Sequence, residues 1–257
     1  MEMLRKYGVK GTFNINSGMV RDPKAPKDSI AWRCMDLSEA VRVYGDDMEI
    51  AIHGRTHPWW DRMPTDLAFA DIMEDRRALE KATGKLIRGG AYPYGTYNDD
   101  VIEMLRLCGI VYCRTTGREA TGKLTALPKE PLRLQPTCHH KYEKLPELAE
   151  KFVTKTPKFG CWMLYVWGHT FEFERDGNWE VMEELLKTVS GKDDIWYATN
   201  LEMVDYLNAS KKLQYDLDET MVHNPTATTV WLRCKLPGVE EEQVLKVMPG
   251  ETVRLPE

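Results

Sequence analysis

Apolar and polar positions along this chain follow two periods in turn. Gly11-Thr-Phe-Asn-Ile-Asn alternates as a strand does, after a helix end at Tyr7-Gly8. Ser38 to Tyr44 reads as a short helix opened by an N-cap serine. Met48 to Ile52 is a buried strand, and Leu67 to Thr83 is an amphipathic helix that Gly84 stops. Gly90 to Pro93 reads as a strand end, and Asn98 to Cys108 as a helix whose Asn-Asp-Asp start suits a helix N-terminus. Ile110 to Arg114 is a short strand and Leu145 to Thr154 a helix. Cys161 to Trp167 is a nearly continuous apolar run, as expected of a strand buried on both faces. Trp179 to Val189 is a helix, Ile195 to Ala198 a strand, and Asn200 to Lys211 a helix.

This succession predicts an α/β fold with a parallel sheet or a barrel, with its site at the C-terminal strand ends. The texture changes after about Leu213. His223 to Lys235 and Val244 to Leu255 look like strands joined by turns. The expected organisation is a main domain over 1–212 and a small β-rich extension over 213–257 that packs on it.

Composition narrows the function. The chain has 257 residues, 42% apolar and 29% charged, as a globular protein does. A net charge of −5 gives nucleic acid no footing. No apolar run nears the roughly 20 residues of a membrane span. The N-terminus lacks the apolar core of a signal peptide, so the chain as written reads as cytoplasmic. Six cysteines without a Cys-x-x-Cys pair point to reduced, mostly buried thiols.

The densest chemistry is His53-Gly-Arg-Thr-His57-Pro58, straight after the strand at Ile52. Gly54 and Pro58 disfavour a helix, so the pair sits on a strand end and loop. Two neutral imidazoles aimed at one point suit a divalent metal, although the spacing alone fits two surface histidines equally. Trp167-Gly-His169 at the mouth of the apolar run offers a general acid or base, with Glu172 and Glu174 to orient it or merely face water. Gly89-Gly-Ala-Tyr92-Pro-Tyr94-Gly-Thr-Tyr97, with Trp59 and Trp60, offers flat rings for sugar stacking. His139 and His140 are adjacent, so on an extended chain at most one faces the site.

Together, Gly11-Thr-Phe-Asn-Ile-Asn, His53-Gly-Arg-Thr-His57-Pro, Tyr92-Pro-Tyr94-Gly, Arg114-Thr-Thr and Trp167-Gly-His169 resemble the polysaccharide deacetylase family (NodB homology, carbohydrate esterase family 4) over about 1–210. The resemblance implies a distorted (β/α) barrel of about seven strands. It also implies removal of acetyl groups from an amino sugar or acetylated polysaccharide by one bound divalent metal. Zinc is the default, and cobalt or nickel would also suit. His53 and His57 take the places of two metal ligands, and His169 that of the histidine that protonates the leaving amine. Tyr94 stands where a backbone N–H holds the oxyanion, with Tyr92, Trp167 and Arg114 around the substrate.

The match departs from the family at one end. The family's Asp-Asp motif closes a first strand, and only 11 residues precede Thr12, so that strand, its base and its carboxylate ligand are expected to be missing. Asp46 and Asp47 lie at the wrong end of the strand leading to His53. Ala91 replaces the family arginine, for which Arg88 and Arg114 are the candidate substitutes. Two accounts follow: a shortened copy of an enzyme, or a pseudoenzyme that binds glycan without turnover. Either predicts weakened catalysis and a weakly bound metal. Unpaired strand edges at the gap would suit closure by a second copy, which points to a homodimer. A hydrolase acting on a non-carbohydrate amide is a third possibility.

Overall fold

The computed structural model describes residues 1–257 except 20, 27, 28, 30–33, 46, 118–123, 158, 159, 236–242 and 257. Two compact units emerge, Met1–Leu201 and Glu202–Glu257.

In the first unit, helix α1 (Glu2–Lys6) leads into β1 (Thr12–Ile15). Helix α2 (Leu37–Tyr44), β2 (Glu49–Ile52), α3 (Thr65–Thr83), β3 (Gly89–Ala91), α4 (Asp99–Leu107) and β4 (Tyr112–Arg114) follow. The four strands form one parallel sheet in the order β1-β2-β3-β4. Such sheets need covered faces. Ile50, Ile52, Ile72, Leu79, Val101 and Leu105 bury one face against the helices. The helix ends obey local chemistry. The Asn98 side chain accepts from Val101 N, and Gly84 takes the left-handed turn that stops α3. For α2 the expected Ser38 cap is not seen. Its N-cap is Asp36, whose carboxylate instead accepts from Arg21 N.

The other sheet face is polar. Glu49, Ala51 and His53 point the same way by strand alternation. Half-buried Glu49 accepts from Tyr112 Oη (2.5 Å), Thr12 Oγ1 (2.8 Å) and Leu201 N (3.0 Å). Burial nevertheless pushes its carboxyl above the usual range.

Past β4 the strands are short and form separate pairs: β5 (Thr125–Ala126), β6 (Cys138–His139), β7 (Trp162–Met163) and β8 (Val166–Trp167). Arg114 bridges in parallel to Leu134, and β6 pairs in parallel with β8. No closed sheet forms among the described residues. The expected unbroken strand over Cys161–Trp167 is two short, half-buried ones. β7 pairs antiparallel with β5, and the switch occurs around Thr137. Thr137 Oγ1 donates to Met163 O and accepts from Tyr165 N, and Thr137 N donates to Tyr165 O. Helices α5 (Leu145–Thr154), α6 (Thr170–Asp176) and α7 (Trp179–Val189) complete the unit. The expected strand over Ile195–Ala198 is irregular chain, in which Tyr197 Oη donates to Val189 O.

In the second unit, which begins within α8 (Asn200–Ser210), β10 (Met221–His223) lies between β9 (Gln214–Tyr215) and β13 (Thr252–Arg254). β11 (Val230–Cys234) and β12 (Gln243–Val247) form a second antiparallel pair. Buried Asn224 ties its turns through Thr226, Thr228 and Val247. No described helix is long and apolar enough to cross a membrane. No disulfide links the cysteines, and Cys108, Cys113 and Cys138 are buried.

Candidate metal and acid–base site

Strand β2 delivers His53 to the C-terminal edge of the parallel sheet. His53 Nδ1 lies 2.8 Å from Ala91 O, and a carbonyl can only accept. The proton is therefore on Nδ1, and Nε2 keeps its lone pair. Burial, then the nearby Arg114 charge, push the imidazole down to about 3, so the ring is neutral at ordinary pH. Ala91 thus takes part through its backbone.

The turn after His53 is held from below. Asn16 Nδ2 donates to His53 O and Gly54 O, each at 2.6 Å. Asp75 accepts from His53 N (3.0 Å) and Ser17 N (2.9 Å), and Asp71 accepts from Arg55 N and Trp60 Nε1. Asp75 is wholly buried, and desolvation lifts its carboxyl to about 6 despite those bonds. Asp75→Ala would leave two buried N–H groups unsatisfied, one of them on His53. The expected loss is about 2–6 kcal/mol, from about 1–3 kcal/mol for each of the two orphaned groups. Urea unfolding checks it; a loss below about 1 kcal/mol would contradict this role.

His57 sits 4.8 Å from His53 between ring centroids, edge to face. Its Nδ1 is buried without a hydrogen-bond partner, and burial lowers its pKa. His57 and Tyr94 both adopt φ near +60° (58° and 59°), in the left-handed region. Histidine visits this region more readily than most residues, while a tyrosine there is strained. The Tyr94 ring meets His57 at 4.4 Å and stacks on Trp59 at 3.7 Å, with the Arg62 guanidinium 3.8 Å from Trp59.

Tyr92 is a correction. It is fully buried, donates to Leu132 O and stacks on Tyr97, so its ring offers no face to a substrate. Trp60 is likewise a core residue. Of the ring set named from sequence, Tyr94 is the most openly placed, at 42% exposure.

Arg114 is buried on β4, with its guanidinium 4.7 Å over Trp167 and its charge felt at His53. It is better placed than Arg88 to stand in for the expected arginine. Asp47 is engaged by Arg5 at the far end of β2, and Asp46 lies outside the described residues.

His169 caps α6, a helix that the sequence analysis does not predict. His169 N and Nδ1 lie 3.2 and 3.0 Å from Glu172 Oε2. Glu172 therefore orients the ring, whereas Glu174 faces solvent. Burial alone would raise the Glu172 carboxyl, but bonds from His169 and Lys141 hold it at about 2, so it stays charged. His139 Nε2 is 3.2 Å from the same oxygen and His140 Nδ1 3.9 Å. Both rings therefore turn toward Glu172, although the two residues are adjacent. Strand β6 ends at His139, and the chain turns there, so strand alternation no longer separates the rings.

His169 also acts electrostatically on both His53 and His57. The arrangement therefore joins two neutral nitrogen donors, an oriented imidazole and a buried guanidinium around one sheet edge. The donor set fits a divalent metal. His53 Nε2 has a free lone pair, and His57 carries an orphaned buried nitrogen. Among the described residues no third His, Cys, Asp or Glu joins those two.

A family model matches residues 1–113, from α1 to Cys113 on β4. It is that of the polysaccharide deacetylases. The deacetylase match contains His53, His57 and Tyr94, while Arg114, Trp167 and His169 lie beyond it. No curated protein matches. Among solved structures, the deacetylase PplD of Streptococcus pyogenes, in complex with acetate, is 22% identical, with a TM-score of 0.40 over 51% of this chain and 55% of that one. A Bacillus anthracis pseudoenzyme of family CE4 is 16% identical, with a TM-score of 0.47 over 79% and 58%. IcaB of Ammonifex degensii is 20% identical, with a TM-score of 0.38 over 44% and 52%. The chain spans little more than half the length of each.

Proposed function

We propose that this chain is a metal-dependent hydrolase that removes acetyl groups from an acetylated carbohydrate, most simply an N-acetylated amino sugar in an oligo- or polysaccharide. One observation carries the proposal: His53 is fixed by Ala91 O as a neutral imidazole with Nε2 free, beside the orphaned nitrogen of His57.

His53 and His57 would hold the metal, zinc by ligand preference, with water or an anion in the remaining positions. A metal so held supplies Lewis acidity toward a carbonyl and lowers the pKa of a bound water. His169 donates a proton from its ring to the leaving nitrogen, and Glu172 sets the ring's direction. Trp167 and Arg114 form a wall beside His169, and the Tyr94 turn borders His57.

A second reading shares the scaffold: a carbohydrate-binding protein without turnover. It is favoured by the lack, among the described residues, of a carboxylate grouped with the ring nitrogens of His53 and His57. Zinc-loaded protein incubated with N-acetylated chito-oligosaccharide separates the two. Acetate release that a chelator abolishes supports the hydrolase. Binding of the sugar without acetate release supports the second reading.

A further inference from the structure

A second cluster of metal-type ligands shares His169 with the site above and includes neither His53 nor His57. His139 Nε2 and His169 Nδ1 stand 3.2 and 3.0 Å from one oxygen, Glu172 Oε2, and the three atoms lie within 4.8 Å of one another. Bonds of about 2.0–2.1 Å to a tetrahedral ion separate its ligands by about 3.3–3.4 Å, so small shifts admit one.

A third imidazole is aimed at the same oxygen. His140 Nδ1 is 3.9 Å away, the residue is 3% exposed, and neither ring nitrogen has a hydrogen-bond partner. Its position requires Gly168, where a Cβ would lie 2.0 Å from His140 Nδ1. A buried, unpartnered imidazole beside two more and a carboxylate is unusual, since buried polar groups are normally paired. The cations nearby engage the other carboxylate oxygen: Lys141 Nζ is 3.0 Å and Arg175 3.6 Å from Oε1. Oε2 is left to the histidines, and the half-exposed His169 gives an entry path.

We propose that His139, His169 and Glu172 bind one divalent transition metal, of the zinc, cobalt or nickel kind, with His140 closing the buried side. Uptake moves each liganding imidazole's proton to its other nitrogen. For His139 this ends the 3.2 Å contact from Lys141 N to Nδ1. If the hydrolase reading holds, an ion on His169 Nδ1 displaces the Glu172 contact that orients the ring, so excess metal inhibits; this consequence alone rests on that reading.

The test is cobalt(II) titration of the full chain, read by visible absorption and native mass. His53→Ala with His57→Ala removes the first pair and should leave one cobalt bound. Adding Glu172→Gln or His139→Ala to that background should weaken the remaining cobalt at least about tenfold. Glu172→Gln is nearly isosteric, so it reads the site should His139→Ala misfold. No cobalt on the His53, His57 double variant, or cobalt unmoved by Glu172→Gln, overturns the site. Neither readout needs catalysis, so failure of the hydrolase reading leaves this result separate.

Discussion

His53→Gln is expected to blunt the protein's acid sensitivity by several kcal/mol. In the folded state burial and Arg114 hold His53 at about 3, against about 6.5 in an unfolded chain. The folded pKa is the lower one, so as pH falls the unfolded chain takes the proton first. The contribution to stability is complete above about pH 6.5 and is lost as pH falls toward 3. Its ceiling is about 4–5 kcal/mol, at about 1.36 kcal/mol per pKa unit. Asp75 works in the opposite sense. Its folded value near 6 lies above the unfolded one, so acidification through about 6 to 4 adds stability, by up to about 3 kcal/mol. The two partly cancel in the wild type, and the difference between wild type and His53→Gln isolates the histidine. Urea unfolding at pH 7.5 and pH 4 supplies it. Equal acid losses in both proteins would mean that His53 takes up a proton in place, and its assignment as a neutral ligand would fall.

His169→Ala is expected to lower acetate release by about 10²–10⁴, the usual range for a general acid, with little change in KM. Glu172→Gln keeps an acceptor for His169 and should cost less than His169→Ala, with KM again nearly unchanged. A rate unchanged from wild type would reduce Glu172 to a helix cap.

The sequence was most legible where one local rule decided the outcome. Asn98 caps α4, Gly84 stops α3, and the apolar run into His53 ends at a site edge. It was least legible where distant partners decide. The run Cys161–Trp167 breaks because the Thr137 hydroxyl bonds on both sides of Leu164, and a threonine 26 residues from Met163 leaves no periodic signal. Tyr92 looked like a groove residue because its turn is aromatic, but its hydroxyl is drawn inward to Leu132 O. The capping box His169-Thr-Phe-Glu172 was readable in principle, since a glutamate at the third helical position is a start signal. Histidine is an unusual cap, so the start signal is masked. The meeting of His139 and His140 at Glu172 depends on a turn that spacing does not reveal.

The most direct measurement is the metal content of the purified, zinc-loaded chain beside the His53→Ala, His57→Ala double variant, with Glu172→Gln in both to silence the second cluster. One zinc per chain, lost in the double variant, is the predicted result and places both imidazoles in one site. No zinc in either protein, or equal zinc in both, would contradict it.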